Sequence, residues 1–263
     1  MTEISAKDVK ALRDATGAGM MDAKRALVEV DGDFEAATQF LREKGLAKAA
    51  TRSDRENVEG VVGLAIGEGR AALVHLKCET DFSAKSERFL SLANELAEAV
   101  LVDGEAAVDA RAAELDDLRL AVKENVELGV VRLVEASEGN TIDTYLHLQD
   151  GRGVNGVIVE GEGIDQETLH QVALHVAFAK PSVLSREDVD PERVEAERTA
   201  LLEITKAEGK PEPAWEKIVE GRLTGWFREM VLLEQGLHGD KVKVADSLNG
   251  GRIVGFTQAY LGA

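Results

Sequence analysis

Glu79-Thr80-Asp81-Phe82 sets two carboxylates, a hydroxyl and an aromatic ring side by side, where the apolar, strand-prone run Ala71 to Leu76 gives way to the acid-capped start of a helix. Two accounts fit these four residues. Either Asp81 caps the helix and Phe82 packs locally, or both side chains protrude as a probe for a partner. Other residues that could do chemistry fail on spacing. His170 and His175 lie five apart on an expected helix, roughly 140° around its axis, so they do not face one metal ion. No His-Glu-x-x-His, Gly-x-Ser-x-Gly or Walker loop occurs. Cys78 is the single cysteine, which leaves no internal disulfide or cysteine-built metal cluster; its apolar neighbours mark a buried small hydrophobe rather than a nucleophile. With 49 Asp and Glu, close carboxylate pairs arise without purpose and read as a solvated surface. The expectation is therefore a protein that is not an enzyme, with no cofactor and no metal of its own.

The elements that must position these residues belong to a chain of 263 residues, 44% apolar, long enough for two or three compact units with real cores. No apolar run is long enough to span a bilayer and Met1 to Lys10 is unlike a signal peptide, so a soluble, cytoplasmic protein is expected. The net charge of −18 argues against a main role in gripping phosphate backbones, which depends on a basic surface. That charge is uneven. Residues 1–55 hold ten basic and ten acidic side chains, so the whole deficit lies beyond them, and Thr51 to Asn57 reads as a polar linker.

The first body reads as three short helices. A capping box of Ser5 and Asp8 opens the first, which carries Val9 and Leu12. A two-glycine turn, Thr16-Gly17-Ala18-Gly19-Met20-Met21, leads into a second with Ala23, Ala26 and Leu27; turn geometry outweighs a phosphate cradle at Gly17 and Gly19, because no Lys-Ser/Thr follows and no strand precedes. Asp31-Gly32-Asp33 stops that helix and caps a third, with Phe34, Ala37, Phe40 and Leu41 at helical spacing and Gly45 as its end.

The middle of the chain holds a degenerate internal repeat. Gly63 to Arg70 and the strand that follows to Leu76 are echoed by Tyr145 to Arg152 and the strand Val157 to Val159, each a hairpin with a Gly-Arg turn. A helix follows in both halves, with Phe89, Leu92, Ala93, Leu96 and Ala97 in the first matching Leu169, Val172, Ala173, Val176 and Ala177 in the second. Two hairpin-plus-helix units imply an α+β core of two related subdomains, antiparallel sheets with helices on one face. The insert from about Asp103 to Val134 reads as mostly helical and acidic. Further on, Lys180-Pro181 ends a helix and Asp190-Pro191 starts another through Val194, Leu201 and Thr205. After Gly209 to Pro213, a second long helix shows Trp215, Ile218, Val219, Leu223, Trp226, Met230 and Leu233 on one stripe, giving an antiparallel helical hairpin. Arg252 to Phe256 reads as a strand returning to the core.

Leu12 to Leu27, with its Arg-Asp-Ala-Thr-Gly-Ala-Gly-Met-Met-Asp-Ala-Lys core, resembles the amino-terminal signature of the elongation factor Ts family, nucleotide-exchange factors for the translational GTPase elongation factor Tu. A second, independent signature is Cys78-Glu79-Thr80-Asp81-Phe82 followed by Ala84-Lys85. Gly209-Lys210-Pro211, Ile218 to Leu223, Leu232 to Gln235 and Ala173 to Ala177 are similar to the family as well, so the resemblance covers nearly the whole chain. It implies an amino-terminal bundle similar to ubiquitin-associated three-helix domains. The expected segments are 1–55 as a partner-docking module, 56–140 and 141–180 as the two core subdomains, 181–233 as the helical hairpin and a candidate homodimer contact within a 2:2 complex, and 234–263 as the returning segment.

As partner the resemblance implies elongation factor Tu, with no direct nucleic-acid binding and no membrane. It implies that Phe82 is an apolar wedge and Asp81 a polar arm, with Thr80 positioning both, so that GDP loses contacts near the partner's Mg²⁺ and phosphate loop. His175 matches a position that presses on the partner near that loop, though a partly buried helix histidine fits the residue nearly as well. Asn155-Gly156 matches a hairpin contact, and Arg13, Met20, Met21 and Lys24 a docking surface on the same GTPase; the two methionines suit an adaptable contact, and equally a thin core they would close. Ser83 where valine is usual, Lys77 where asparagine is common and Leu237-His238 depart from the family pattern. Two rivals stay open. A helical adaptor for a ribosomal or ubiquitin-like partner would depend on residues 1–55 and not on Phe82. A small-molecule enzyme would need a substrate-sized cleft at Asp81 or His175.

Overall fold

In the computed structural model, which describes residues 4–262, helices and two antiparallel sheets share the chain, as the α+β expectation had it. Residues 1–3 and 263, the outer ends of the first and last expected segments, lie outside the described residues. Three helices come first: α1 (Ala6–Thr16), α2 (Met20–Glu29) and α3 (Phe34–Ala50). Ser5 and Asp8 form the capping box that opens α1, and Gly17 closes it at φ 66°, a conformation a side chain resists. The core of this body is thin: Val9, Leu12, Ala23, Ala26, Leu27 and Ala37, with Ile4, Val30, Phe40 and Leu41 at its margin. Phe34 is not part of it and is exposed.

Gly45 does not end α3, which runs five residues further. The glycine serves close approach instead: a Cβ there would come within 2.3 Å of Leu120 Cδ2, on the helix α3 packs against. Arg42 and Asp117, 3.1 Å apart, tie the same two elements.

The repeat expected from the sequence unfolds into two three-stranded sheets. Strands β1 (Glu59–Gly67) and β2 (Arg70–Cys78) form the first hairpin, and the helices α4 (Asp81–Ala84) and α5 (Glu87–Asp103) follow. Then come α6 (Ala107–Ala110), α7 (Ala112–Val122) and β3 (Glu127–Glu135), which pairs with β2. The insert is thus helical only as far as Val122. Val130, Val131, Leu133 and Val134 give its last part β-branched and apolar residues on both faces, and sheet pairing takes them.

The second half repeats the plan with β4 (Asn140–Gln149), β5 (Arg152–Glu162) and α8 (Gln166–Ala179). Its third strand, β6 (Arg252–Tyr260), pairs with β5 only after α9 (Pro191–Ala207), α10 (Trp215–Met230) and α11 (Val244–Ser247). Asp190 caps α9 with Pro191 at its first position. Helices α9 and α10 lie against each other, but the buried face of α10 is Val219, Leu223, Phe227 and Met230, whereas Trp215, Ile218 and Trp226 are half-buried and Leu233 lies beyond the helix end.

Each sheet carries its helix on one face, α5 over the first with Phe89, Leu92, Ala93, Leu96 and Ala97, α8 over the second with Leu169, Val172, Ala173, Val176 and Ala177. The sheets meet through their other faces at Val62, Ala71, Leu73, Ile158 and Ala259. At Gly153 and Gly156 the approach leaves no room for a side chain: a Cβ would come within 2.1 Å of the Val62 carbonyl at the first and within 2.5 Å of Leu73 Cδ1 at the second. Arg152, buried beside this seam, bonds the Gly60 carbonyl at 3.0 Å and pairs with Glu59 at 2.8 Å.

Candidate functional site

Strand β2 ends at Cys78, and after Glu79 and Thr80 the chain starts the single turn α4 at Asp81. Thr80, not Asp81, is the cap: its Oγ1 accepts the Ser83 N–H at 3.3 Å. Asp81 becomes the first helical residue, where a carboxylate sits favourably against the amides of the turn. With the cap supplied by Thr80, Asp81 is free for another partner. Lys85 Nζ donates to its Oδ2 at 2.9 Å, and this bond above all holds the Asp81 carboxyl below the usual carboxylate range. The same ammonium reaches Asp150 at 3.2 Å, in the turn of the β4–β5 hairpin, so the helix tip of the first half is tied to the second.

Phe82 is 86% exposed, more than any other large apolar residue described, and local packing of its ring is therefore excluded here. The rest of the turn is held from behind. Cys78 Sγ donates to the Thr80 carbonyl at 3.2 Å, Ser86 Oγ to that of Ser83 at 2.7 Å, and Glu79 takes the Asn125 N–H at 2.7 Å and the Arg55 guanidinium at 3.3 Å. Burial and the nearby Glu124 charge push the Cys78 thiol up to about 12, so it stays protonated.

The remaining residues singled out from the sequence fall into two groups. Arg13, Met20, Met21 and Lys24 are exposed on α1 and α2, outside the small core there, so the methionines do not close it. Asn155, Gly156 and His175 are engaged within the protein. The Asn155 amide donates to the Ala177 carbonyl at 2.8 Å and accepts from Gln258 at 3.0 Å; Gly156 is buried at the seam between the sheets. His175 is 2% exposed. Its Nδ1 accepts the His238 N–H at 3.1 Å, which fixes the neutral ring with its proton on Nε2, and Nε2 donates to Gln235 Oε1 at 2.9 Å. Burial first, then the neighbouring His238, lower its pKa, against the Gln235 bond. His175 thus pins the Gln235 to His238 segment in place, where His238 turns at φ 52° and stacks edge-on against it.

Sequence reasoning passed over Phe178, 78% exposed at the end of α8, and Leu148, 61% exposed beside the β4–β5 turn that Lys85 grips. A signal for Phe178 existed: it stands nine residues after Leu169, roughly 180° around the helix from the apolar face. Among the described residues no group of three His, Cys, Asp or Glu side chains could hold a metal ion, and no helix is long and apolar enough to cross a membrane. A recess of about 720 Å³ lies between the α1–α2 corner, α3 and α7, and another of about 640 Å³ beside Lys180 and Tyr260; neither is lined by Asp81 or His175.

Comparison with known proteins returns one consistent answer. The family model described as elongation factor TS matches residues 79–263. A protein of Clavibacter michiganensis subsp. michiganensis named elongation factor Ts is 43% identical over 275 aligned residues, covering 100% of both chains. Proteins of the same name from Cutibacterium acnes and Dinoroseobacter shibae are 45% and 41% identical, covering 93% of both chains in the first case and 98% of this chain and 92% of the relative in the second. The model match begins at Glu79, the first residue of the exposed turn, while the full-length relatives carry the likeness through the amino-terminal helices.

Proposed function

The chain belongs to the elongation factor Ts family, and from that membership we propose that it is the guanine-nucleotide exchange factor of elongation factor Tu, acting in translation elongation without a cofactor or metal of its own. The single observation that carries the reading is Phe82: an aromatic ring 86% exposed at the tip of a one-turn helix, beside an ionised Asp81, on a turn bonded into the core behind it.

A GTPase holds GDP through a glycine-rich loop and a Mg²⁺ ion, both dependent on close local geometry. Phe82 entering between partner helices near that metal displaces its ligands, and Asp81, presented on the same turn, competes for the groups it exposes. Leu148 and Phe178 extend the apolar contact from the second half of the molecule. The protein lowers GDP affinity by the factor by which GDP lowers the protein's own, so the ternary complex is short-lived and release is fast. GTP then enters by abundance.

The amino-terminal helices, a ubiquitin-associated-like module in this reading, dock a second patch of the same GTPase through Arg13, Met20, Met21 and Lys24. The two methionines suit an adaptable contact because both are exposed at the start of α2 and their unbranched side chains adjust to a partner. His175 acts from the inside: with both ring nitrogens used within the fold, its part is to hold the Gln235 to His238 segment rather than to touch the partner.

The test is release of fluorescent GDP from elongation factor Tu with catalytic amounts of the protein, of Phe82→Ala, or of neither. Burying a phenylalanine ring is worth about 1.5–3 kcal/mol, so the variant is expected to be slower by roughly one to two orders of magnitude. Release unaffected by the wild-type chain would refute the function; release equally fast with Phe82→Ala would refute the site. Loss of activity on removing residues 1–55 with Phe82 dispensable would instead favour an adaptor.

A further inference from the structure

A turn of four residues does not hold itself: the first helical turn fixes several dihedrals for one hydrogen bond and is unfavourable alone. The ring of Phe82 contributes no packing to hold it either, being exposed. Beyond the bonds from Cys78, Lys85 and Ser86, the largest set of constraints comes from Glu124, over forty residues away, in the loop after α7 where Lys123 turns the chain at φ 59°. Its carboxylate accepts four hydrogen bonds, all from the turn that carries Phe82. Oε2 takes the backbone N–H groups of Glu79 at 3.2 Å and Thr80 at 3.1 Å, and Oε1 takes the hydroxyls of Thr80 and Ser83, each at 2.6 Å.

We propose that Glu124 is the positioning residue of the exchange site: its carboxylate pre-forms the Thr80-Asp81-Phe82 turn, so that ordering the probe is not left to the moment of binding. The neighbouring Asn125 extends the clamp to the amino-terminal side. Its backbone N–H bonds Glu79, and its amide donates to the Ser53 and Arg55 carbonyls at 3.3 and 3.0 Å, where the chain leaves the three-helix body. Consecutive residues thus hold both the probe and the exit of the docking module. Ser83 gains a role here as well, since its hydroxyl supplies one of the four donors and its side chain is buried against the clamp.

The inference rests on Phe82 being the probe, and the chemistry of the clamp supplies a test that a general structural role does not meet. Backbone N–H groups have no choice but to donate, whereas hydroxyls turn to accept. Glu124→Gln, with its amide oxygen toward Glu79 and Thr80 and its NH₂ toward the two hydroxyls, keeps a hydrogen bond to each of the four groups while the two hydroxyl protons turn away; Glu124→Ala keeps none, and Glu124→Asp falls a methylene short. At saturating protein, Glu124→Ala is expected to release GDP about tenfold more slowly and Glu124→Gln within about threefold of wild type, and in a Phe82→Ala background Glu124→Ala should cost less than about twofold more. Amide hydrogen exchange of Glu79 and Thr80 in the free full-length chain should be slow in wild type and Glu124→Gln and fast in Glu124→Ala. Should Glu124→Ala fold poorly, Ser83→Ala, which removes one donor, carries the comparison. A wild-type rate with Glu124→Ala, a loss that multiplies with that of Phe82→Ala, or unprotected amides in the wild type would each overturn the proposal. A wild-type chain that leaves GDP release unchanged would sink the exchange reading, while the amide measurement still decides the clamp.

Discussion

His75 carries a titration whose sign and size are both set by the fold. It stands in β2, 2% exposed, where the pairing of that strand with β3 slips between Val74 and Leu76. The ring lies over Gly129, at which a Cβ would come within 3.1 Å of Nδ1, and Nε2 has no hydrogen-bond partner. Burial, with Lys77 acting in the same direction, lowers its pKa from 6.5 to about 4. Above pH 6.5 the ring is neutral in both the folded and the unfolded chain, and stability is undiminished. As the pH falls from 6.5 towards 4, the unfolded chain takes up a proton that the folded one refuses, so stability is lost through that window and the loss levels off below it. At about 1.4 kcal/mol per pH unit, a pKa held at about 4 instead of 6.5 amounts to roughly 3 kcal/mol. His75→Leu removes the proton site and the orphaned nitrogen at similar volume. Urea unfolding of both proteins at pH 7.5, 6.5, 5.5 and 4.5 should show the variant gaining on the wild type by about that amount, and acidic groups with lowered pKa such as Asp81 and Asp165 cancel in the difference. The signal should be circular dichroism, because Trp215 and Trp226 both lie on α10 and report the other half. Stability curves that stay parallel to within about 0.5 kcal/mol across this range would refute the reasoning.

Two further outcomes follow from the geometry. With its thiol pushed from 9.0 up to about 12, Cys78 is expected at pH 8 to react with a disulfide reagent about three orders of magnitude more slowly than an unperturbed thiol, and stoichiometrically once urea unfolds the chain; fast reaction of the native protein would contradict the burial. Gly156→Val pushes a side chain into Leu73 and Val62 across the seam, and a loss of about 1–3 kcal/mol is expected by thermal unfolding, whereas an unchanged Tm would mean the sheets do not meet there.

What the sequence by itself determined are features written within a few residues of each other. The Ser5–Asp8 box, the Asp190-Pro191 helix start, the Gly69-Arg70 and Gly151-Arg152 hairpin turns, and the matched apolar phases of α5 and α8 all follow from hydrogen bonds or periodicity within about ten residues, and the structure repeats them. The family signature belongs here too, since it is a string of neighbours. Tertiary structure alone decided the rest. Gly45, read locally, is a helix stop, and only the presence of Leu120 shows it to be a contact. His175 and Asn155 have the residue types of a binding surface until Gln235, His238, Ala177 and Gln258 arrive from elsewhere to occupy them. The local sequence left Phe82 either packed or protruding; its exposure was settled by what does not fold over it. Glu124 is one of 49 acidic residues, and nothing near it in the chain distinguishes it from the others. Its four donors come from 41 to 45 positions away, and hydrogen-bond partners at that separation are chosen by how the whole chain packs, which no local pattern encodes.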